Sequence, residues 1–429
     1  MISKICVAVA LSAAVFPGFA ASGGDVVPGR PALAPAAAPA AAPVAAFSLA
    51  ALRDMARATH PSLAAADAYV EAGQAQLTTA AAYPNPDVEF LAGRSQARLP
   101  GAVDGSVRSL ALTQRLDNPW QREARLDAAR FGLEAREAER RGLRNDLLAR
   151  LDQRFFDMLR RQAELRASQE DLGIAEQIRS KVAVRVNTGE SPRYELIKAD
   201  TELLNAQKAA ESAGLRIAQA RAALRTVVGP SLPADFQVEG SLARNPVVPS
   251  LDELRADLLA RNPELLRSRA DVRRAERQLD LERLRRQPEV ALKVAEEQDR
   301  ELRDTRLGVV VNVPIWDRRK GPVAEATALL SRSRSEEASQ QLMLVQALEG
   351  AYREYEIART QVNALENGIL REAESTMKVA EAAYRFGERG ILEYLDAQRV
   401  FRAARNELIA ARYALQLAAI EIERLRAPQ

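Results

Sequence analysis

Thiols and imidazoles are nearly absent from this chain. Of its 429 residues, one is cysteine (Cys6) and one is histidine (His60). A disulfide framework and a cysteine- or histidine-rich metal cluster are excluded, because each needs several such groups brought together. Aromatic residues make up only 5%, with two tryptophans, Trp120 and Trp316. So few large rings argue against ordinary compact domains, while the wealth of Ala, Leu, Arg and Glu favours long helices and coiled coils. After the first twenty residues, no apolar run reaches the ~20 residues a helix needs to cross a bilayer. Any membrane-spanning part must therefore be built from strands. No nucleophile elbow or phosphate loop is present, so neither an enzyme nor a cofactor is expected. The net charge is only +3 although the pI is near 9.0. Arg and Glu are interleaved and form no basic blocks, which counts against nucleic acid as a partner.

Residues 1–20 read as a secretory signal, with Lys4 at the charged start, an apolar stretch from Ile5 to Phe16, and Gly18-Phe19-Ala20 as a cleavage site near Ala20. Cys6 lies inside that stretch and not at the cleavage point, so the exported chain is expected to carry no thiol, disulfide or cysteine-linked lipid. Residues 21–46 are rich in Pro and Ala and read as an extended tether.

The remainder says nearly the same thing twice, roughly 200 residues apart, the mark of one structural unit used two times. Leu52-Arg53 through Pro61-Ser62-Leu63 matches Leu254-Arg255 through Pro263-Glu264-Leu265 without a gap, and Pro86 and Val88 match Pro288 and Val290. Further on, Leu151, Met158, Leu165 and Leu172 fall on Leu348, Tyr355, Val362 and Ile369. Gly189-Glu190 falls on Gly387-Glu388, with the offset longer by one residue. Repeat 1 spans 47–228, a Pro- and Gly-rich linker 229–250, and repeat 2 spans 251–429.

Within each repeat a first helix leads to two runs of alternating polarity, the pattern of strands with one apolar face. These are expected at about 86–98 and 106–116, then 288–296 and 305–315; in the last run Leu307, Val309, Val311, Val313 and Ile315 share a side. Long helices follow at 119–186 and 322–385, each roughly 100 Å at 1.5 Å per residue. Their seven-residue seam is that of coiled-coil packing. Turns at 187–191 and 386–390 lead into return helices at 192–228 and 391–426.

Four amphipathic strands cannot close a barrel, since the smallest barrels have about eight. Exposed sheet edges are not tolerated in hydrocarbon, so other copies of the chain must complete them. Two, three or four chains would supply about 8, 12 or 16 strands, and the pattern alone does not choose among them.

Asn85-Pro86-Asp87-Val88, the run Asn312 to Gly321, and the two turn motifs Val186 to Ser191 and Tyr384 to Arg389 occur in this order within the duplicated unit. In these residues the chain resembles the TolC-like outer membrane efflux proteins, most of all the outer membrane components of cobalt-zinc-cadmium type tripartite systems. The resemblance implies a mainly α fold with a membrane β-barrel part. A homotrimer would form a 12-stranded barrel continuous with a 12-helix coiled-coil tunnel through the periplasm. It further implies a passive exit duct in the outer membrane, working with a periplasmic adaptor and an inner-membrane RND-type pump and passing heavy-metal cations. Drug efflux or type I protein secretion remain the alternative cargoes. A periplasmic coiled-coil adaptor is the rival of another class, although it leaves the strand pairs unexplained.

By the same resemblance, Tyr384 and Arg389 bond Glu195 to hold the tunnel entrance closed. An arginine–carboxylate pair suits a reversible latch because it is directional and charge-assisted. Glu393 and Asp396, three apart on one helix face, match an inner acidic ring that would favour cations. Gly189 and Gly387 mark the tips offered to the adaptor. Trp120 and Trp316 follow strands at Pro-containing bends and suit the membrane–water boundary, in contact with outer membrane lipid. His60 is matched by Asn262, also ahead of a proline. Asn cannot replace an imidazole on zinc, so a shared role in bonding backbone at a helix break is expected, and no dedicated metal site.

Overall fold

The computed structural model describes residues 45–427 apart from 97, 99, 100, 102 and 103. The segment expected to be a signal and nearly all of the expected tether lie outside the described residues.

Among the described residues a short strand β1 (Ala46–Ser48) comes first and pairs in parallel with β4 (Gln237–Glu239) from the linker. Helices α1 (Leu49–Thr59) and α2 (Pro61–Ala81) follow, then strands β2 (Asp87–Ser95) and β3 (Gly105–Arg115). The long α3 (Pro119–Asn187) and the return helix α4 (Arg193–Val228) complete the first repeat. The second repeat contains α5 (Leu251–Arg261), α6 (Pro263–Leu284), β5 (Glu289–Gln298) and β6 (Arg303–Asn312). It ends with α7 (Lys320–Ala364), one π-helical turn (Leu365–Ile369), α8 (Leu370–Arg385) and α9 (Ile391–Arg426). No helix among the described residues is long and apolar enough to cross a membrane.

Local chemistry explains the breaks. Pro61 and Pro263 lack an N–H and push the preceding residue out of the helical region, so each first helix is two helices and not one. The residues at the break become caps. His60 Nδ1 accepts from Ser62 N at 3.2 Å and from Ser62 Oγ at 2.7 Å, and Asn262 Oδ1 accepts from Glu264 N at 3.0 Å. Asn118 caps α3 through Trp120 N, and Ser250 with Glu253 forms a capping box on α5.

The four long strands make one antiparallel sheet in the order β2-β3-β5-β6, so β3 and β5 join the two repeats. The register places Val88, Leu112, Val294 and Leu307 in one row across all four strands. All four are exposed, as are Phe90, Leu110, Val309 and Val311. The opposite face carries Glu89, Ala111, Ala295 and Arg306 in register. Strand β6 stops at Asn312, so the alternation continuing to Val313 and Ile315 lies beyond its end; Pro314 cannot donate to a ladder.

Each repeat has its own core where the long helix meets the short ones. Leu52, Leu151, Phe155, Met158, Leu224 and Phe236 pack together in the first, and Leu254, Leu265, Leu348, Tyr355, Val362 and Ile422 in the second. The return helices contribute small residues at seven-residue spacing. Ala199, Ala206, Ala213 and Ala220 are buried on α4, and Ala397, Ala404, Ala411 and Ala418 on α9. Alanines at seam positions let paired helices approach closely along their whole length.

One seam position differs from the sequence expectation. Ile369 is exposed, and Leu370 packs against the core in its place. The π turn accommodates the extra residue that lengthens the repeat offset, shifting the seam by one so that Met377 and Tyr384 fall on it farther out.

Candidate functional site at the helix tips

The tips are two helix–turn–helix ends built on the same backbone device. Glu190 N donates to Arg185 O at 2.8 Å and Gly189 N to Val186 O at 3.2 Å. Glu388 N donates to Ala383 O at 2.9 Å and Gly387 N to Tyr384 O at 3.2 Å. These are two Schellman motifs, which require the left-handed backbone that Gly189 (φ +82°) and Gly387 (φ +75°) adopt. Open space surrounds both α-carbons, so the requirement for glycine is conformational and not steric.

Beneath the turns lies a small core of Ile178, Val182, Ala199, Ile391, Leu395 and two tyrosines. Tyr384 stacks on Tyr394, ring centroids 6.0 Å apart and nearly parallel. The Arg185 guanidinium lies 4.8 Å from the Tyr384 ring and its Nη1 reaches the Tyr384 carbonyl at 3.4 Å. Burial pushes the Tyr384 phenol above its usual range; the Glu195 carboxylate adds to that and Arg185 opposes it. The Tyr384 hydroxyl and Glu195 Oε2 are both buried without a hydrogen-bond partner among the described residues. Orphaned polar atoms of this kind call for an explanation, since leaving one unpaired costs about 1–3 kcal/mol.

The structure thus brings Tyr384 and Glu195 into one neighbourhood but leaves Arg389 out. Arg389 Nη1 pairs with Glu393 Oε2 at 2.7 Å, four residues on along α9. The physical reason is local: one helical turn separates the two, and the i,i+4 pair forms without crossing the tip. Both partners are mostly exposed, so the pair is worth no more than ~0–1 kcal/mol and is readily exchanged. Within the chain, the cation beside Tyr384 is Arg185, which the sequence reading missed. The duplication held a signal for it, because Arg185 corresponds to Ala383 in the second repeat, a departure from the shared pattern beside the turn.

Glu393 and Asp396 line one open groove together with Lys198, Thr201, Thr376 and Arg399. Asp396 is 3.5 Å from Arg399, and both carboxylates are exposed. Among the described residues, no three His, Cys, Asp or Glu side chains gather as a metal site. His60 works as a helix cap, far along the chain from the tips. At the other end of the long helices, Trp120 is 64% exposed and Trp316 94% exposed, flanking the sheet.

A family model described as "Outer membrane efflux protein" matches residues 52–230 and 254–426, one copy on each repeat. The chain belongs to the outer membrane efflux protein family. Among curated proteins it is similar to the cobalt-zinc-cadmium resistance protein CzcC of Cupriavidus metallidurans, 25% identical over 384 residues and covering 88% of this chain and 89% of that one. Among solved structures it shares the fold of CusC, with a TM-score of 0.77 at 20% identity over 88% and 91% of the two chains. The outer membrane channel MtrE of Neisseria gonorrhoeae gives 0.73 at 19% identity, over 88% of each chain. This outer membrane efflux protein therefore has the helix-rich channel architecture, with a strand pair in each repeat and the long helices below it.

Proposed function

We propose that this efflux protein is the exit duct of a tripartite system, a homotrimer whose three sheets close a 12-stranded barrel over a 12-helix tunnel. The observation that carries this reading is the sheet itself. Its apolar face is exposed in every strand, and its edge strands β2 and β6 have no partner on their outer sides among the described residues. In hydrocarbon such edges are unsustainable, and sibling sheets joined edge to edge remove them. The tunnel needs no energy source or catalytic residue of its own. A periplasmic adaptor docks at the tips around Gly189 and Gly387 and connects the duct to an inner-membrane RND-type pump.

Heavy-metal cations are the cargo that similarity to CzcC favours. Glu393 and Asp396, once in three copies, would form a ring of six carboxylates around a constriction, a cation-favouring filter without a fixed coordination site. Glu195, Tyr384 and Arg389 are the entrance latch. Arg389 would leave Glu393 for the Glu195 carboxylate of a neighbouring copy, exchanging one charge-assisted pair for another.

The test is a deletion strain grown on a panel of cobalt, zinc, cadmium and common drugs. Selective loss of metal tolerance, restored by the intact gene, supports the reading; drug sensitivity with unchanged metal tolerance overturns the cargo. In planar bilayers Arg389→Ser should raise single-channel conductance, and Glu393→Gln with Asp396→Asn should abolish block by multivalent cations. An inserted Arg389→Ser channel of unchanged conductance would remove Arg389 from the latch.

A further inference from the structure

The four places where the sheet meets the helices are tied into one collar. Gln114 Nε2 donates to Pro84 O at 3.0 Å, and Arg125 Nε to Ala80 O at 2.8 Å, joining β3 and α3 to the end of α2. Asn118 Nδ2 donates to Gln287 Oε1 at 2.7 Å and Gln121 Nε2 to Leu284 O at 3.1 Å, reaching across to the end of α6. Arg319 pairs with Glu282 at 2.6 Å, bringing in the start of α7.

This collar is unlike the opposite end of the sheet. The segments 81–87, 115–125, 282–289 and 312–320 carry nine basic and six acidic residues, together with Tyr83, Trp120 and Trp316. The strand-connecting ends, 94–108 and 296–306, carry six of each sign and no aromatic residue at all. Both tryptophans of the chain therefore stand at the helix-side end. Six of the nine collar cations have a carboxylate within ion-pair distance: Arg115, Arg122, Arg125, Arg283, Arg285 and Arg319. Arg286, Arg318 and Lys320 are exposed and have no carboxylate partner among the described residues. They belong together, because Glu282 holds both Arg285 (2.6 Å) and Arg319, the immediate neighbours of all three.

Just inside these cations the apolar face of β6 continues through the exposed Val313 and Ile315 to Trp316. Hydrocarbon-facing residues, then an indole, then unpaired cations is the succession that matches acyl chain, glycerol region and phosphate. Resting on the reading that the sheet lies in a membrane, we propose that this collar binds anionic phospholipid headgroups of the leaflet nearer the helices. Arg286, Arg318 and Lys320 meet the phosphates and Trp316 sits at the glycerol level. Charge complementarity chooses the occupant: a zwitterionic surface offers these cations no net attraction, whereas each basic group near an anionic one is worth about 1 kcal/mol, or roughly fivefold in binding.

The experiment uses the intact assembled protein in detergent, titrated with short-chain phosphatidylglycerol or phosphatidylcholine and read by native mass spectrometry. The expected result is phosphatidylglycerol binding about tenfold or more tighter than phosphatidylcholine, allowing for screening of three charges. The triple variant Arg286→Gln/Arg318→Gln/Lys320→Gln should lose that preference, while Arg300→Gln/Arg306→Gln at the opposite end keeps it. Equal affinity for the two lipids in the unaltered protein would overturn the proposal, as would a triple variant that keeps the preference or displacement of lipid by equimolar inorganic phosphate. Failure of the membrane reading is separately visible: the unaltered protein would not float with vesicles of either lipid.

Discussion

The two repeats share a plan and differ in one long helix. In repeat 1, α3 runs unbroken for 69 residues; in repeat 2 the same path is α7, a five-residue π turn and α8. The extra residue in repeat 2 is absorbed in that turn, and Glu366 within it pairs with Arg412 of α9 at 2.7 Å. Packing on both sides is preserved: Val362 and Leu365 are buried before and at the turn, and Ala373 and Tyr384 after it. The contrast shows that the coiled-coil seam is what the two repeats keep in common, while the helix geometry bends to keep it. An α-helix that simply accepted another residue would rotate everything beyond by about 100° and turn the seam away.

Deleting one residue from each long helix breaks this comparison most severely. Removing Gly368 should let the π turn relax to α-helix with Leu370, Met377 and Tyr384 still on the seam, changing stability by no more than about 1 kcal/mol. Removing Ala167 from α3 should carry Ile178 and Val182 out of the tip core, losing on the order of 5 kcal/mol. Thermal melting of the two purified variants decides it; equal destabilisation would refute the register account.

The helix breaks offer a milder contrast. Asn262 is 3% exposed and, besides capping α6, donates from Nδ2 to Leu425 O at 2.9 Å, so Asn262→Ala should cost about 2–3 kcal/mol. His60 makes only its local cap, and His60→Ala should cost about 1 kcal/mol. Similar melting temperatures for the two variants would mean the Leu425 bond carries no weight.

The smallest difference concerns an ion pair present in one repeat only. Arg53 binds both carboxylate oxygens of the buried Asp152, whereas the corresponding Arg255 and Glu349 are exposed and unpaired with each other. Arg53→Ala leaves a buried carboxylate uncompensated, and with Arg53 itself partly solvated the expected loss is about 1–2 kcal/mol. Arg255→Ala should stay within about 0.5 kcal/mol. A chemical denaturation pair measures this, and indistinguishable midpoints would assign the Arg53–Asp152 pair no stabilising role.

Much of this was open to reading in the chain. Period-two runs revealed the strand pairs, because side chains alternate across a sheet whatever its surroundings. Prolines marked the ends of the helices because they lack a donor. Even the π turn had left its trace in the lengthened offset, which gives the extra residue but not the kind of turn that holds it. Arg389 and Glu393 have the four-residue spacing of a local helix pair, but that Arg185 would lie against the Tyr384 ring was not readable beyond the departure from the repeat at that position. Which of several nearby cations reaches a given ring depends on helix rotation and on how two tips pack, and spacing along the chain does not encode either.

Sequence alone determined that this protein is a duplicated unit of strands and long helices with one apolar sheet face, since local periodicity and backbone chemistry act residue by residue. Tertiary structure decided that β3 and β5 weld the repeats into a single sheet, that alanine seams bring the return helices close, and that the Tyr384 hydroxyl and one Glu195 carboxylate oxygen are buried without a hydrogen-bond partner among the described residues. Those outcomes rest on contacts between residues far apart in the chain, whose energies exist only once the elements have packed.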